Sequence, residues 1–234
     1  MNSQTSNNSL VEIKGATKIY ESNANKCIAL NEIDFSASKG ELLLLLGPSG
    51  SGKTTLLTVT AGFTQPTTGE VFLFGENINK YSPVELQLLR AERIGFIFQS
   101  FLLIDALTVF ENVELVLHFS QKNKKNLRDN AFEALQKVGI ANLAKKSPME
   151  LSHGEKQRVA IARAFANDAD LLIADEPTAS LETKQGEEIV KLLHNYASEL
   201  NKCVIVASHD LRLKYLADKI HYIENGKISN EHKL

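Results

Sequence analysis

Residues 47–55 read Gly-Pro-Ser-Gly-Ser-Gly-Lys-Thr-Thr. Gly47, Gly50 and Gly52 let the backbone curl until successive amide N–H groups face a single anion, a path that bulkier residues at positive φ would obstruct. Lys53 adds a point charge suited to the β- and γ-phosphates of a nucleotide, and the Thr54 hydroxyl suits Mg²⁺. Ser49, Ser51 and Thr55 complete the run. A second chemical signal ends the apolar stretch 171–176, Leu-Leu-Ile-Ala-Asp-Glu, in two adjacent carboxylates. A triphosphate site can use such a pair in two ways: Asp175 to hold Mg²⁺, Glu176 to orient and deprotonate water. Two charges at a buried strand end are costly without a metal or hydrogen bonds to compensate them, which favours chemistry over decoration.

These groups need elements that position them. The apolar segment Leu42–Leu46 is expected as a strand delivering the chain into the glycine-rich run, and Lys53–Thr60 as a helix whose dipole adds to the anion site. Segments 41–47, 171–175 and 203–210 are continuous apolar runs of the kind buried in parallel sheets. Segments 11–20 and 28–38 alternate and suggest antiparallel strands, so both sheet types are expected. Between Gln99 and Leu171 the pattern turns helical. Thr108-x-x-Glu111 and Ser152-x-x-Glu155 read as capping boxes, and Gly139 as the stop of a helix over 126–138. Beyond them we expect a strand over 171–174, a helix over about 184–199, a strand from Cys203, a short helix over about 211–217 and a hairpin turning at Asn225-Gly226. Ser152 as N-cap, with the Gly154 amide, marks a second helix end able to meet an anion.

Composition narrows the class. Lys plus Arg number 26 against 28 acidic residues, a net charge of −2, so there is no basic footprint and no nucleic-acid partner is expected. The two cysteines, Cys27 and Cys203, fit a reduced compartment and require no disulfide. Residues 1–9 are polar, with neither a basic start nor an apolar stretch. A disordered tail is expected there, not a signal peptide. The aliphatic runs fall far short of the roughly 20 residues a membrane helix needs, so any membrane role is expected through a partner.

Residues 151–164, LSHGEKQRVAIARA, resemble the signature sequence of ATP-binding cassette ATPases. With the loop at 47–55, Gln99 closing FIFQ, LLIADEP at 171–177 and Ser208-His209-Asp210, the motifs of that family stand in order over about residues 10–230. The resemblance implies an α/β fold: a P-loop NTPase core with a mixed parallel sheet and an antiparallel β-subdomain, spanning residues 10–234. A helical subdomain is inserted in it at about 80–166. It implies ATP and Mg²⁺ as ligands. ATP would be held by Tyr20, stacking on adenine, and by Gly47, Ser49, Gly50, Ser51, Gly52, Lys53, Thr54 and Thr55, and Mg²⁺ by Thr54, Gln99 and Asp175. Glu176, His209 and Gln99 are implied as catalytic. Ser152, Gly154 and Glu155 would bind the γ-phosphate of ATP held by a second copy of the chain, so two chains would meet head to tail around two nucleotides.

Two positions depart from the pattern. His153 stands where the family usually has the first of two glycines, with Ser152 and Gly154 retained, so dimerisation on ATP is expected to survive. Ser180-Leu181-Glu182 ends in glutamate where aspartate is usual, and the extra methylene bears on coupling between the two sites.

Residues 100–110, SFLLIDALTVF, form an apolar patch suited to docking. In similar proteins this region meets an integral membrane permease subunit. Segments 95–115 and 177–190 look most like the stand-alone ATPases of bacterial export systems for lipoproteins, macrolides, peptides or glycolipids. The expected function is therefore the ATP-hydrolysing subunit of an exporter at the cytoplasmic face of the inner membrane. A transmembrane signalling ATPase of cell-division type is the alternative, and a soluble cassette ATPase a more distant one.

Overall fold

The computed structural model describes residues 9–22, 25–120, 126–179 and 181–229. The chain runs through β1 (Ser9–Ser22), β2 (Asn25–Ser38), β3 (Leu42–Leu46), α1 (Lys53–Thr60), β4 (Thr68–Leu73), β5 (Glu76–Asn77), α2 (Pro83–Arg93) and β6 (Ile94–Ile97). It continues through α3 (Val109–Phe119), α4 (Leu127–Lys137), α5 (His153–Phe165), β7 (Leu171–Asp175), α6 (Thr183–Leu200), β8 (Cys203–Ser208), β9 (Lys219–Glu224) and β10 (Lys227–Ser229). A six-stranded sheet has the order β10-β9-β3-β8-β7-β6. Its strands are parallel except for β10, which pairs antiparallel with β9. A four-stranded antiparallel sheet has the order β2-β1-β4-β5. The α/β class and the mixture of sheet types expected from the sequence are both present.

The five leucines of β3 are all buried because both faces of the parallel sheet are covered. Leu42, Leu44 and Leu46 join Ala174 and Val206 in a core roofed by α3, α4, α5 and α6. Leu43 and Leu45 face the other way, into a core shared with Ile173, Ile205, α1 and the antiparallel sheet. The strand ends that carry the chemistry are thereby held from both sides.

Between the adjacent strands β6 and β7 the chain makes an excursion whose described residues hold the helices α3, α4 and α5 and no strand. The C-terminal turn of α5 lies tight on β6: a Cβ on Gly95 would come within 2.5 Å of the Ala164 carbonyl. With thirteen residues α5 is about 20 Å long, so Ser152 stands a helix length from that contact.

Several elements differ from expectation. Ser9, assigned to the polar tail, opens β1, and its hydroxyl donates to the Val11 carbonyl. Residues 1–8 of that tail lie outside the described residues. Gln99 does not end β6 but follows it by two positions. The short helix expected over about 211–217 is present as a 3₁₀ helix over 211–216, with Asp210 accepting at its start from the Arg212 amide. Strand β4 and helix α2 went unread, although Ser82 and Glu85 form a full capping box before α2. At the β9–β10 hairpin Asn225 and Gly226 both have positive φ, 49° and 72°, as a two-residue primed turn requires.

Candidate functional site

The glycine-rich loop leaves β3 at Leu46 and enters α1 at Lys53. Gly52 has φ 108°, and a Cβ there would lie 2.5 Å from the Ala29 carbonyl; one on Gly47 would lie 2.2 Å from that of Ile223. Both positions therefore demand glycine. Helix α1 has no side-chain cap and no acidic residue in its first turn, so its leading amides remain available to an anion. The Ser51 hydroxyl is buried here without a hydrogen-bond partner.

Lys53 is buried and folds back on the loop, donating to the carbonyls of Gly47 (2.7 Å) and Pro48 (3.0 Å). Its Nζ also lies 3.4 Å from Glu176 Oε1. The other carboxylate oxygen, Oε2, stands 2.9 Å from His209 Nδ1. With Glu176 ionised, Nδ1 carries the proton and Nε2 is the remaining ring nitrogen. Glu176 holds this position with φ 49°, the left-handed region, and its amide donates to the Ala207 carbonyl of β8. Lysine, glutamate and histidine from three segments thus form one connected line.

Asp175 lies beside it. Its Oδ2 accepts a 2.7 Å hydrogen bond from Thr54 Oγ1, while Oδ1 is buried with no partner. At 5% exposure, desolvation pushes its pKa up, opposed by the Thr54 hydrogen bond and reinforced by the neighbouring Glu176 charge. An orphaned carboxylate oxygen next to a threonine hydroxyl is a hard-oxygen donor set, and Mg²⁺ takes one or two carboxylates together with substrate phosphates. The residues present fit that ion. Among the described residues no cluster of three or more His, Cys, Asp or Glu could hold a metal by itself, so the remaining donors would come from a bound ligand.

A cleft of about 540 Å³ opens over these groups. It is lined by Ser49, Gly50, Gly52, Lys53, Thr54, Thr55, Gln99, Glu176 and His209, all expected from sequence. Its remaining wall went unforeseen: Cys27, Ile28 and Ala29 from β2, and the Asn225-Gly226 turn. The Gly226 amide donates to the Ser51 carbonyl at 3.0 Å, closing the turn onto the loop. Tyr20 stands outside the lining, on β1 opposite Cys27, 45% exposed and with the Lys18 ammonium 5.2 Å from its ring centroid. An exposed ring at the rim of the cleft is accessible to a planar base.

Ser152, Gly154 and Glu155 do not line this cleft. Ser152 caps α5 in a full capping box. Its hydroxyl accepts from the Glu155 amide and donates to Glu155 Oε2, and the same oxygen accepts from the Ser152 amide at 2.8 Å. These bonds hold the Glu155 carboxyl below its ordinary pKa. The serine hydroxyl expected to crown the helix end is thus already engaged with a carboxylate. His153 sets its ring 5.9 Å from that of Phe101. Arg163, further along α5, donates to the carbonyls of Phe101 and Leu102 at 2.6 Å each, tying this helix to the segment after Gln99. Ser180 lies outside the described residues.

A family model described as ABC transporter matches residues 30–179. MJ0796, an uncharacterized ABC transporter ATP-binding protein of Methanocaldococcus jannaschii, is 38% identical over 229 residues, covering 96% of this chain and 97% of that protein. The lipoprotein-releasing system ATP-binding protein LolD of Wigglesworthia glossinidia brevipalpis is 38% identical over 222 residues, 94% of this chain and 96% of its own. A dimeric structure of MJ0796 in a post-hydrolysis state, bound to ADP and Pi, matches with a TM-score of 0.89 at 38% identity and covers 96% of this chain and 98% of that one.

Proposed function

The chain belongs to the ABC transporter family, and on that premise we propose that it is the ATP-hydrolysing subunit of an export system, working as a head-to-tail homodimer on a separate membrane permease. The observation that carries the reading is the connected line of Lys53, Glu176 and His209 beside the Thr54–Asp175 pair, all under one glycine-rich loop. The loop amides and the start of α1 receive the phosphates, and the Lys53 ammonium offsets their charge. Thr54, Asp175 and Gln99 would hold Mg²⁺, which would supply neutralisation of phosphate charge. Glu176 accepts the proton of the attacking water. His209, held through Nδ1–H by Glu176, faces the γ-phosphate with Nε2 and donates to it there in the imidazolium form, in which both ring nitrogens carry protons. Tyr20 stacks on adenine.

The excursion through α3, α4 and α5, the part after β6 of the helical subdomain expected at about 80–166, carries the second half-site in this reading. Ser152, Gly154 and Glu155 stand away from their own cleft, which suits contact with ATP on a second copy. The dimer bound to ADP and Pi formed by the relative MJ0796 supports that arrangement.

A permease contact is supported by an apolar groove of about 420 Å³ lined by Phe63, Phe96, Phe98, Leu102, Ile104 and Phe119. Leu102, Ile104 and Phe119 are exposed and line this groove together. Through Arg163 the loop that joins Gln99 to this groove is fastened to α5, the helix that Ser152 caps. No helix among the described residues is long and apolar enough to cross a membrane, so we assign membrane association at the cytoplasmic face to the permease. Export is our reading of the direction; relatives at this level of identity include the lipoprotein-releasing LolD and ATP-binding proteins of import systems.

The test is Glu176→Gln. Loss of a general base lowers turnover by about 10² to 10⁴, and the variant is expected to accumulate as an ATP-bound dimer in size-exclusion chromatography. An unchanged rate of phosphate release removes Glu176 from the chemistry. Copurification of an integral membrane protein that stimulates hydrolysis tests the transport half of the reading.

A further inference from the structure

Two segments meet beside the catalytic line: the turn after β8 that carries its member His209, and the entry to α6 that begins at Glu182 and Thr183. One guanidinium spans them. Arg212 Nε and Nη2 donate to the two carboxylate oxygens of Asp210, each at 2.8 Å, a planar fork on the residue next to His209. Its Nη1 donates to Thr183 Oγ1, the first residue of α6, at 2.7 Å. Asp210 is fixed again from below. Its amide donates to the buried Ser208 hydroxyl at 3.0 Å, and its Oδ1 accepts from the Arg212 amide at 2.9 Å.

We propose that Arg212 is a positioning residue, which holds the His209 turn and the entry to α6 at one separation so that both meet the nucleotide as a unit. The inference rests on the ATPase reading above. Geometry decides the residue type: three donors in one plane serve two acceptor groups on two segments, and a lysine ammonium on a flexible stem cannot reproduce the fork. Exposure decides the role. The Arg212 side chain is 62% exposed, and ion pairs in such surroundings contribute little to folding. Its removal therefore leaves the fold in place and loosens the turn on which His209 stands, a side chain that reaches the site through Glu176.

The test is steady-state hydrolysis by the purified full chain with Mg²⁺ and ATP, alongside a thermal melt. Arg212→Ala is expected to lower kcat about fivefold while KM for ATP and Tm hold, the pattern of an interaction felt in the transition state. Arg212→Lys behaves like the alanine variant. Thr183→Val lowers kcat by less, and in the double variant it adds nothing to Arg212→Ala, because the two side chains share one contact. Equal kcat in all variants, rescue by lysine, or losses that multiply in the double variant overturn the role of Arg212 and leave the ATPase reading standing. Absence of hydrolysis by the unaltered chain overturns that reading itself.

Discussion

Thr54 Oγ1 donates a 2.7 Å hydrogen bond to Asp175 Oδ2, joining two residues 121 positions apart at the mouths of α1 and β7. The bond satisfies one carboxylate oxygen and leaves the other, Oδ1, buried without a partner. The charge on Asp175 thus opposes the fold unless a cation arrives.

Asp175→Asn is accordingly expected to raise Tm of the nucleotide-free chain while removing Mg²⁺-dependent hydrolysis. Asparagine keeps an oxygen for Thr54 and discards the buried charge. The sign follows from desolvation, which raises the native pKa of Asp175 above its unfolded value. The folded chain then binds the proton more tightly, so stability falls as pH rises from about 3.9 through the raised native value. The Tm gap between variant and parent should be open at neutral pH and close under acid. Added Mg²⁺ and ATP should reverse the order, since only the parent binds them strongly. A parent that melts above the variant at pH 7 without ligand sinks the argument.

What the sequence disclosed here was local. Glycine spacing over 47–52, the paired carboxylates at 175–176 and the boxes at Thr108 and Ser152 are each written within a few residues, where turn sterics and helix capping act. The far wall of the cleft is written nowhere locally. Ala29 and Gly226 reach the loop because β2 and the β9–β10 hairpin close over it, a consequence of sheet packing that no short pattern carries. The Asn225-Gly226 pair was legible as a turn but not as a neighbour of Ser51. Arg212 was silent for the same reason: its two partners lie two and 29 positions away and converge only when α6 and β8 pack.

Ser152 and Thr108 offer a matched comparison. Each caps a helix through the same reciprocal box, Ser152 with Glu155 on α5 and Thr108 with Glu111 on α3. Replacing either by alanine is expected to cost about 1 kcal/mol of stability. Only Ser152→Ala should also abolish the ATP-bound dimer in the Glu176→Gln background, because only that helix end is assigned to nucleotide across the interface. Size-exclusion chromatography of the two double variants decides it. Equal dimer content in both would reduce Ser152 to a structural cap.

Tyr20 lies at the rim of the cleft, exposed and paired across β1–β2 with Cys27, which lines it. Tyr20→Ala is expected to weaken ATP binding by about 1–3 kcal/mol, the range for one base on one aromatic ring. Tyr20→Phe should bind normally, since the ring face and not the hydroxyl carries the contact. Inorganic triphosphate, which has no base, should bind the parent and the alanine variant alike. A loss of triphosphate affinity in Tyr20→Ala would show that the residue acts on the loop and not on adenine.

Glu182 stands at the N-cap of α6 without a side-chain hydrogen bond to the helix amides. Glutamate is one methylene too long to fold back on the N2 or N3 amide as shorter caps do. Glu182→Asp should therefore close a capping bond and raise stability by about 0.5–1 kcal/mol, read as a higher Tm. The same change shortens the side chain presented beside Thr183, the residue to which Arg212 donates. Aspartate keeps the charge at the helix N-terminus, where a carboxylate is favoured by the dipole. Hydrolysis is accordingly expected to rise or hold steady. A sharp fall in kcat with Tm raised would mean that the longer side chain makes a contact of its own, one that the shorter cap cannot reach.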